Sequence, residues 1–169
     1  MIFVCGISAS GKSSIVSAFA NANSGFRHIK GSALLERAGR PIRNLSGSNA
    51  ESNQWALLDI LRSEQLIGPL TILDGHITIE TTEGSFVVPS WFFKGADIAG
   101  IICITSDPLI IEQRRIQKGL VSGVAVESLQ EAEKSSARQR AEELGIVCRQ
   151  VSADDQYSFE TAVRSILDR

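Results

Sequence analysis

The chain has 169 residues, which argues for one domain with a real hydrophobic core, at roughly 150 residues per domain, and excludes a second full one. Its 17 Lys+Arg against 19 Asp+Glu give a formal net charge of −2, with a pI near 5.7, which excludes a general attraction to nucleic-acid backbones or anionic membranes. Hydrophobic residues make up 43% and charged residues 21%, so disorder is excluded as the main state.

In chain order, the apolar run Ile2 to Cys5 predicts a first strand. A helix follows from the Gly11-Lys12-Ser13 turn to about Ala22, with Ile15, Val16, Phe19 and Ala20 on one face and Asn23-Ser24-Gly25 as its stop. Phe26 to Ile29 is strand-sized. Ser32 to Ala38 has helical spacing and breaks at Gly39-Arg40-Pro41, and a third helix spans Glu51 to about Leu66. Leu70 to Leu73 predicts another strand. Ile77 to Pro89 reads as a small hairpin about a Glu83-Gly84 turn, after which Trp91, Phe92 and Phe93 start a helix packed on the sheet. Strands at Ile98 to Ile104 and Ile146 to Val151 are separated by helices from Pro108 to Lys118 and from Ser128 to Leu144, the second capped by Gly145. A last helix runs from Ser158 to Asp168. Five strands alternating with helices describe an open α/β sheet, mostly parallel.

Cys5, Cys103 and Cys148 are an odd count without metal-site spacing, each inside an apolar run, and are read as buried free thiols. No apolar run reaches the ~18 residues of a membrane span. The first residues lack the basic start of a secretory signal, so a cytoplasmic location is expected.

Gly6-Ile7-Ser8-Ala9-Ser10-Gly11-Lys12-Ser13 satisfies G-x-x-x-x-G-K-[ST] directly after the first strand and before the first helix. This is the P-loop pattern. Gly6, Ser8, Ala9, Ser10 and Gly11 form a turn whose backbone N–H groups point inward at an anion, and the helix start at Ser13 and Ser14 adds a favourable dipole. Lys12 would reach the β- and γ-phosphates and the Ser13 hydroxyl would ligate Mg2+, so ATP with Mg2+ is the expected cofactor. Leu70 to Asp74 is an apolar strand ending in a carboxylate, as a second Mg2+ ligand requires; a plain Asp-Gly turn is the competing reading. His76 is read either as a substrate or water contact at the carboxyl end of the sheet or as a structural hydrogen-bonded histidine.

With these residues in place the sequence resembles the nucleoside monophosphate kinases, most closely the archaeal-type adenylate kinases and their small adenylate kinase-like relatives. Four segments carry the resemblance: Gly6 to Ser14, Gly31 to Ala38, Leu73 to Ile79, and Thr105 to Arg115. It implies a single P-loop domain over residues 1–169 with a three-layer fold. The parallel sheet would have the order 2-3-1-4-5 with helices on both faces, a monophosphate-binding arm would occupy about 31–66 and a lid about 114–140. Carried over by position, Ser32 and Arg37 fall in the arm, Arg37 as a clamp on the acceptor phosphate, and Arg43 and Gln54 supply a further cation and a polar contact.

Arg114 and Arg115 match the arginine pair that opens the lid, where guanidinium groups fork onto phosphate oxygens. Neighbours on a helix cannot both face the same way, so one of the two is expected in the site. Arg138 or Arg140 would return from the lid's second helix. The stretch Ile116 to Val126 departs from the family in having Lys118 as its only basic residue, which bears on the rate because such arginines stabilise transferring charge. The resemblance implies ATP-dependent phosphorylation of a small acceptor, a nucleotide or similar molecule, catalysed by Lys12, Asp74 and arginines from Arg114, Arg115 and Arg138. The competing reading is a P-loop ATPase switch that works with a protein or RNA partner. No membrane and no direct nucleic-acid substrate are expected, and self-association is left open.

Overall fold

The computed structural model describes residues 1–120 and 123–168. Val121 and Ser122, in the middle of the expected lid, and Arg169 lie outside the described residues. Strand β1 (Ile2–Cys5) is buried along its whole length and sits at the centre of a five-stranded parallel sheet. It pairs with β3 (Thr71–Asp74) through Ile2 and Ile72, and with β6 (Gly100–Thr105) through Cys5 and Cys103. β2 (Arg27–Lys30) and β7 (Val147–Ser152) form the edges, giving the order β2-β3-β1-β6-β7. Counting only these strands, that is the expected 2-3-1-4-5.

The alternation of side chains divides the core into two layers. Phe3 and Cys5 face one side with Leu58, Leu73 and Phe93, under α3 (Gly47–Ser63), α4 (Ser90–Gly95) and α6 (Val126–Leu144). Ile2 and Val4 face the other side with Phe19, Ile72, Ile102 and Phe159, under α1 (Lys12–Ala22) and α7 (Gln156–Leu167). Edge-on ring pairs lock both layers, Phe3 with Phe93 at 5.1 Å and Phe19 with Phe159 at 5.5 Å. Each fully buried apolar side chain contributes roughly 1.5–3 kcal/mol.

Two boundaries move for physical reasons. β2 starts at Arg27 rather than Phe26, because Phe26 leaves the ladder to pack on Phe19 at 4.8 Å, and the strand itself, at the sheet edge, carries Arg27, His28 and Lys30. α3 starts four residues before the expected Glu51, because the Ser46 hydroxyl accepts the Asn49 N–H at 3.1 Å and caps a Gly-Ser-Asn first turn of poor intrinsic helicity. α2 (Gly31–Arg37) and α5 (Pro108–Gln117) fall as expected, the latter capped by Asp107. The excursion is an antiparallel hairpin of β4 (Thr78–Thr81) and β5 (Gly84–Val87). Its turn is Thr82-Glu83, one residue earlier than expected, since Gly84 already pairs with Thr81. Among the described residues the three cysteines are free, Cys148 only half-buried, and no helix is long and apolar enough to cross a membrane.

Candidate phosphate-binding site

All five parallel strands end at one edge, and the loop from Gly6 to Gly11 lies there between β1 and α1. Gly6 has φ +147°, and a Cβ on it would stand 2.5 Å from the Ile104 carbonyl oxygen. Gly11 has φ +98°, and a Cβ there would stand 2.8 Å from Ala153. Neither position admits a side chain, so the loop closes only with glycine. Ala9 takes the left-handed region at φ +72° without that freedom, a strained residue at the apex of the turn. Ser10 is fully buried and its Oγ has no partner among the described residues. Lys12 is 7% exposed and its ammonium lies back along the loop, 3.3 Å from the Ile7 carbonyl oxygen. Burial lowers the Lys12 pKa, and the charges of Asp74 and Glu133 oppose that shift.

Asp74 closes β3 beside the loop. Its Oδ2 accepts the Ser13 hydroxyl at 2.5 Å, and Nε2 of His28 stands 3.4 Å from the same oxygen. Nδ1 of His28 is in turn 3.1 Å from the Ser17 hydroxyl, so α1, β2 and β3 are joined through one carboxylate. Burial pushes the Asp74 pKa up, but the bonds from His28 and Ser13 and the Lys12 charge outweigh it and hold it below the ordinary value. A hydroxyl and an ionised carboxylate in contact suit a hard divalent cation whose remaining ligands are phosphate oxygens and water. With the inward loop, the orphaned Ser10 hydroxyl and Lys12, the residues present fit a magnesium–triphosphate.

Two further groups complete the floor. His76 bonds to the Gly6 backbone, and burial, helped by the Lys12 charge, depresses its pKa to about 3, so the ring is neutral. Glu133 reaches in from α6 with 1% of its surface exposed. Its Oε1 accepts the N–H groups of Gly6 at 3.0 Å and Ile77 at 2.9 Å, and its Oε2 that of Thr78 at 2.7 Å. Burial raises the Glu133 pKa against the pull of these donors.

The arginines separate into those at the loop and those elsewhere. Arg115 is 5% exposed, pairs through Nη2 with Glu80 of the hairpin at 3.1 Å, and keeps a buried Nη1 without a partner among the described residues. Arg114, its neighbour, is exposed, and its Nη1 is 3.5 Å from the Ala9 carbonyl oxygen on the loop. Arg138 is turned away, 3.4 Å from Gln150 of β7, and Arg140 binds the Val88 carbonyl oxygen at 2.8 Å and pairs with Glu143. Neither belongs to the phosphate side.

A pocket opens between α2, α3 and the end of β3. Ser32, Gln54, Asp74 and His76 line it together with apolar walls that include Leu35 and Phe92. Arg37 is outside it, exposed and paired with Glu64. Arg43 is exposed between the lining residues Ile42 and Leu45, and its guanidinium makes no hydrogen bond or ion pair among the described residues. Ser8 is half-buried on the loop, and Ser14, in the first turn of α1, is exposed.

Sequence reasoning missed His28, Glu80 and Glu133. For Glu133 a signal existed: Leu129, Glu133, Ala137 and Ala141 repeat every four residues, placing a carboxylate on the buried stripe of α6. His28 and Glu80 carried none, because only the parallel register brings β2 beside Asp74 and only the hairpin brings Glu80 to Arg115.

No protein-family model matches the chain, and no curated protein matches its sequence. Solved structures do. A shikimate kinase from Bacteroides thetaiotaomicron is similar with a TM-score of 0.53 at 16% identity, covering 99% of this chain and 96% of its own. A sugar kinase from Janibacter sp. HTCC2649 is similar with a TM-score of 0.50 at 14% identity, covering 99% and 90%. The chain shares their three-layer fold, a five-stranded parallel sheet with helices on both faces. At such identities the likeness speaks to the fold alone, and the chemistry rests on the site.

Proposed function

We propose that the protein is an ATP-dependent phosphotransferase that passes a terminal phosphoryl group to a small acceptor held in the pocket between α2, α3 and β3. The observation that carries this reading is that Asp74 serves both sides: it holds the Ser13 hydroxyl at the phosphate loop and lines the acceptor pocket. Donor and acceptor would therefore meet at one carboxylate, as in-line transfer requires.

The loop amides and Lys12 bind and orient the triphosphate, and Ser13 and Asp74 hold Mg2+. When bound, the ion neutralises charge on the β- and γ-oxygens. Arg114 reaches the loop at the Ala9 carbonyl oxygen and would serve as the lid arginine, while Arg115, held by Glu80, keeps a buried Nη1 without a partner among the described residues. For the acceptor, a nucleoside monophosphate suits the arrangement: apolar walls and Gln54 for the base, and Arg43 as the free cation for the phosphate. This reading gives that role to Arg43 rather than to Arg37, which lies outside the pocket lining and is paired with Glu64. Coupled turnover against a panel of nucleoside monophosphates tests the reading. Product with at least one member is expected, and none with any would remove the nucleotide version.

One observation favours the ATPase switch. Arg115 is half neutralised by Glu80, and α5 exposes Leu109 at 66% and Ile116 at 67%, a surface suited to a protein partner. Hydrolysis without acceptor separates the two. Stimulation by a protein or RNA and none by small acceptors would select the switch.

A further inference from the structure

Glu133 lies on the face of α6 that packs on the sheet, in line with Leu129, Ala137 and Ala141. A carboxylate so deeply buried is tolerated only when its oxygens are satisfied, and here they take three backbone N–H groups and, among the described residues, no side-chain donor. The donors belong to two segments on which phosphate chemistry depends. Gly6 opens the loop, and Ile77 and Thr78 follow Asp74 in the chain. The Gly6 N–H lies past the end of β1, where the ladder to β6 stops at Cys5, so the side chain takes over where the sheet ends. One turn along α6, Ser136 Oγ meets the Thr78 hydroxyl at 3.3 Å and adds a second tether to the same segment.

We infer that Glu133 is a positioning residue: its carboxylate fork fixes the first residue of the phosphate loop and the chain behind Asp74 to α6, holding the loop amides and the Ser13–Asp74 pair at a set separation. A shift of α6, which overlaps the expected lid region, would reach the loop through this carboxylate together with the packing of Ile7 on Val126 and Leu129. The inference rests on the phosphate-binding reading above. Glu133→Gln keeps the volume and one acceptor oxygen but turns an NH2 group toward an N–H donor, leaving at least one of the three amides unpaired. Ser136→Ala removes the neighbouring tether without touching the loop.

The test is amide hydrogen exchange in the ligand-free protein together with calorimetric titration of MgATP, at a temperature where every variant is folded. The expected result for Glu133→Gln is exchange at least about tenfold faster at one or more of Gly6, Ile77 and Thr78, unchanged protection in β6 and β7, and a MgATP Kd weakened about tenfold. Ser136→Ala should keep the wild-type Kd. A wild-type Kd in Glu133→Gln, or a loss of binding accompanied by faster exchange throughout the sheet, would overturn the positioning role. Wild-type protein that takes up no MgATP would instead overturn the phosphate-binding reading.

Discussion

The Ser13 hydroxyl donates to Oδ2 of Asp74 across 2.5 Å, joining residues 61 apart in the chain. On the proposed reading these two oxygens are the protein's pair of hard ligands for Mg2+. Asp74→Asn keeps the shape and removes the charge. The expected outcome is a Mg2+ requirement raised by about tenfold or more, read from turnover against free Mg2+, with circular dichroism unchanged. An unaltered Mg2+ dependence would place the ion elsewhere.

Lys12 would pass for an exposed loop lysine by its position in the motif, yet it is 7% exposed between Asp74 and Glu133. Its loss should therefore separate stability from rate. Lys12→Met should lower turnover at least about 100-fold and leave the fold no less stable, because the cost of burying the ammonium outweighs its attraction to the two carboxylates. Urea unfolding measures the second effect; a clear loss of stability would mean that the carboxylates depend on the lysine charge.

On the proposed reading the acceptor phosphate is met by Arg43 rather than by Arg37. Arg43→Ala should raise the acceptor KM about tenfold or more while leaving the ATP KM in place, and Arg37→Ala should change either by less than about twofold. Steady-state kinetics with both substrates varied decides this. A larger effect from Arg37 would show that the Glu64 pair opens in the working enzyme.

His76 gives the stability a pH dependence of known sign. Its folded pKa is depressed to about 3 from 6.5, so between these values the unfolded chain binds more protons than the folded one. The contribution is complete above pH 6.5 and is lost as the pH falls toward 3. It should amount to something on the order of 5 kcal/mol. In His76→Gln that part of the profile should flatten, as seen by chemical denaturation at several pH values; parallel curves would contradict it.

The fold was legible because its signals are local: short apolar strands, Gly and Pro breaks, and a phosphate-loop pattern whose glycines have steric reasons visible in the structure. The loop, Ser13 and Asp74 were legible for the same cause. What could not be read was long-range pairing of charges. Whether Arg37 meets a phosphate or Glu64, whether Arg115 is free or held by Glu80, and that His28 backs Asp74 all depend on which strands and helices become neighbours. Arg138 shows the limit within one helix, since rotation about α6 decides between the lid interior and Gln150, and residue spacing alone left that open by two residues.

Trp55 of α3 and Trp91 of α4 stack at 3.8 Å with their planes 12° apart, and they are the only two tryptophans in the chain. The protein thus carries its own optical gauge. Face-to-face indoles quench one another, so any swing of α3 over the acceptor pocket would separate them and brighten the emission without an added label.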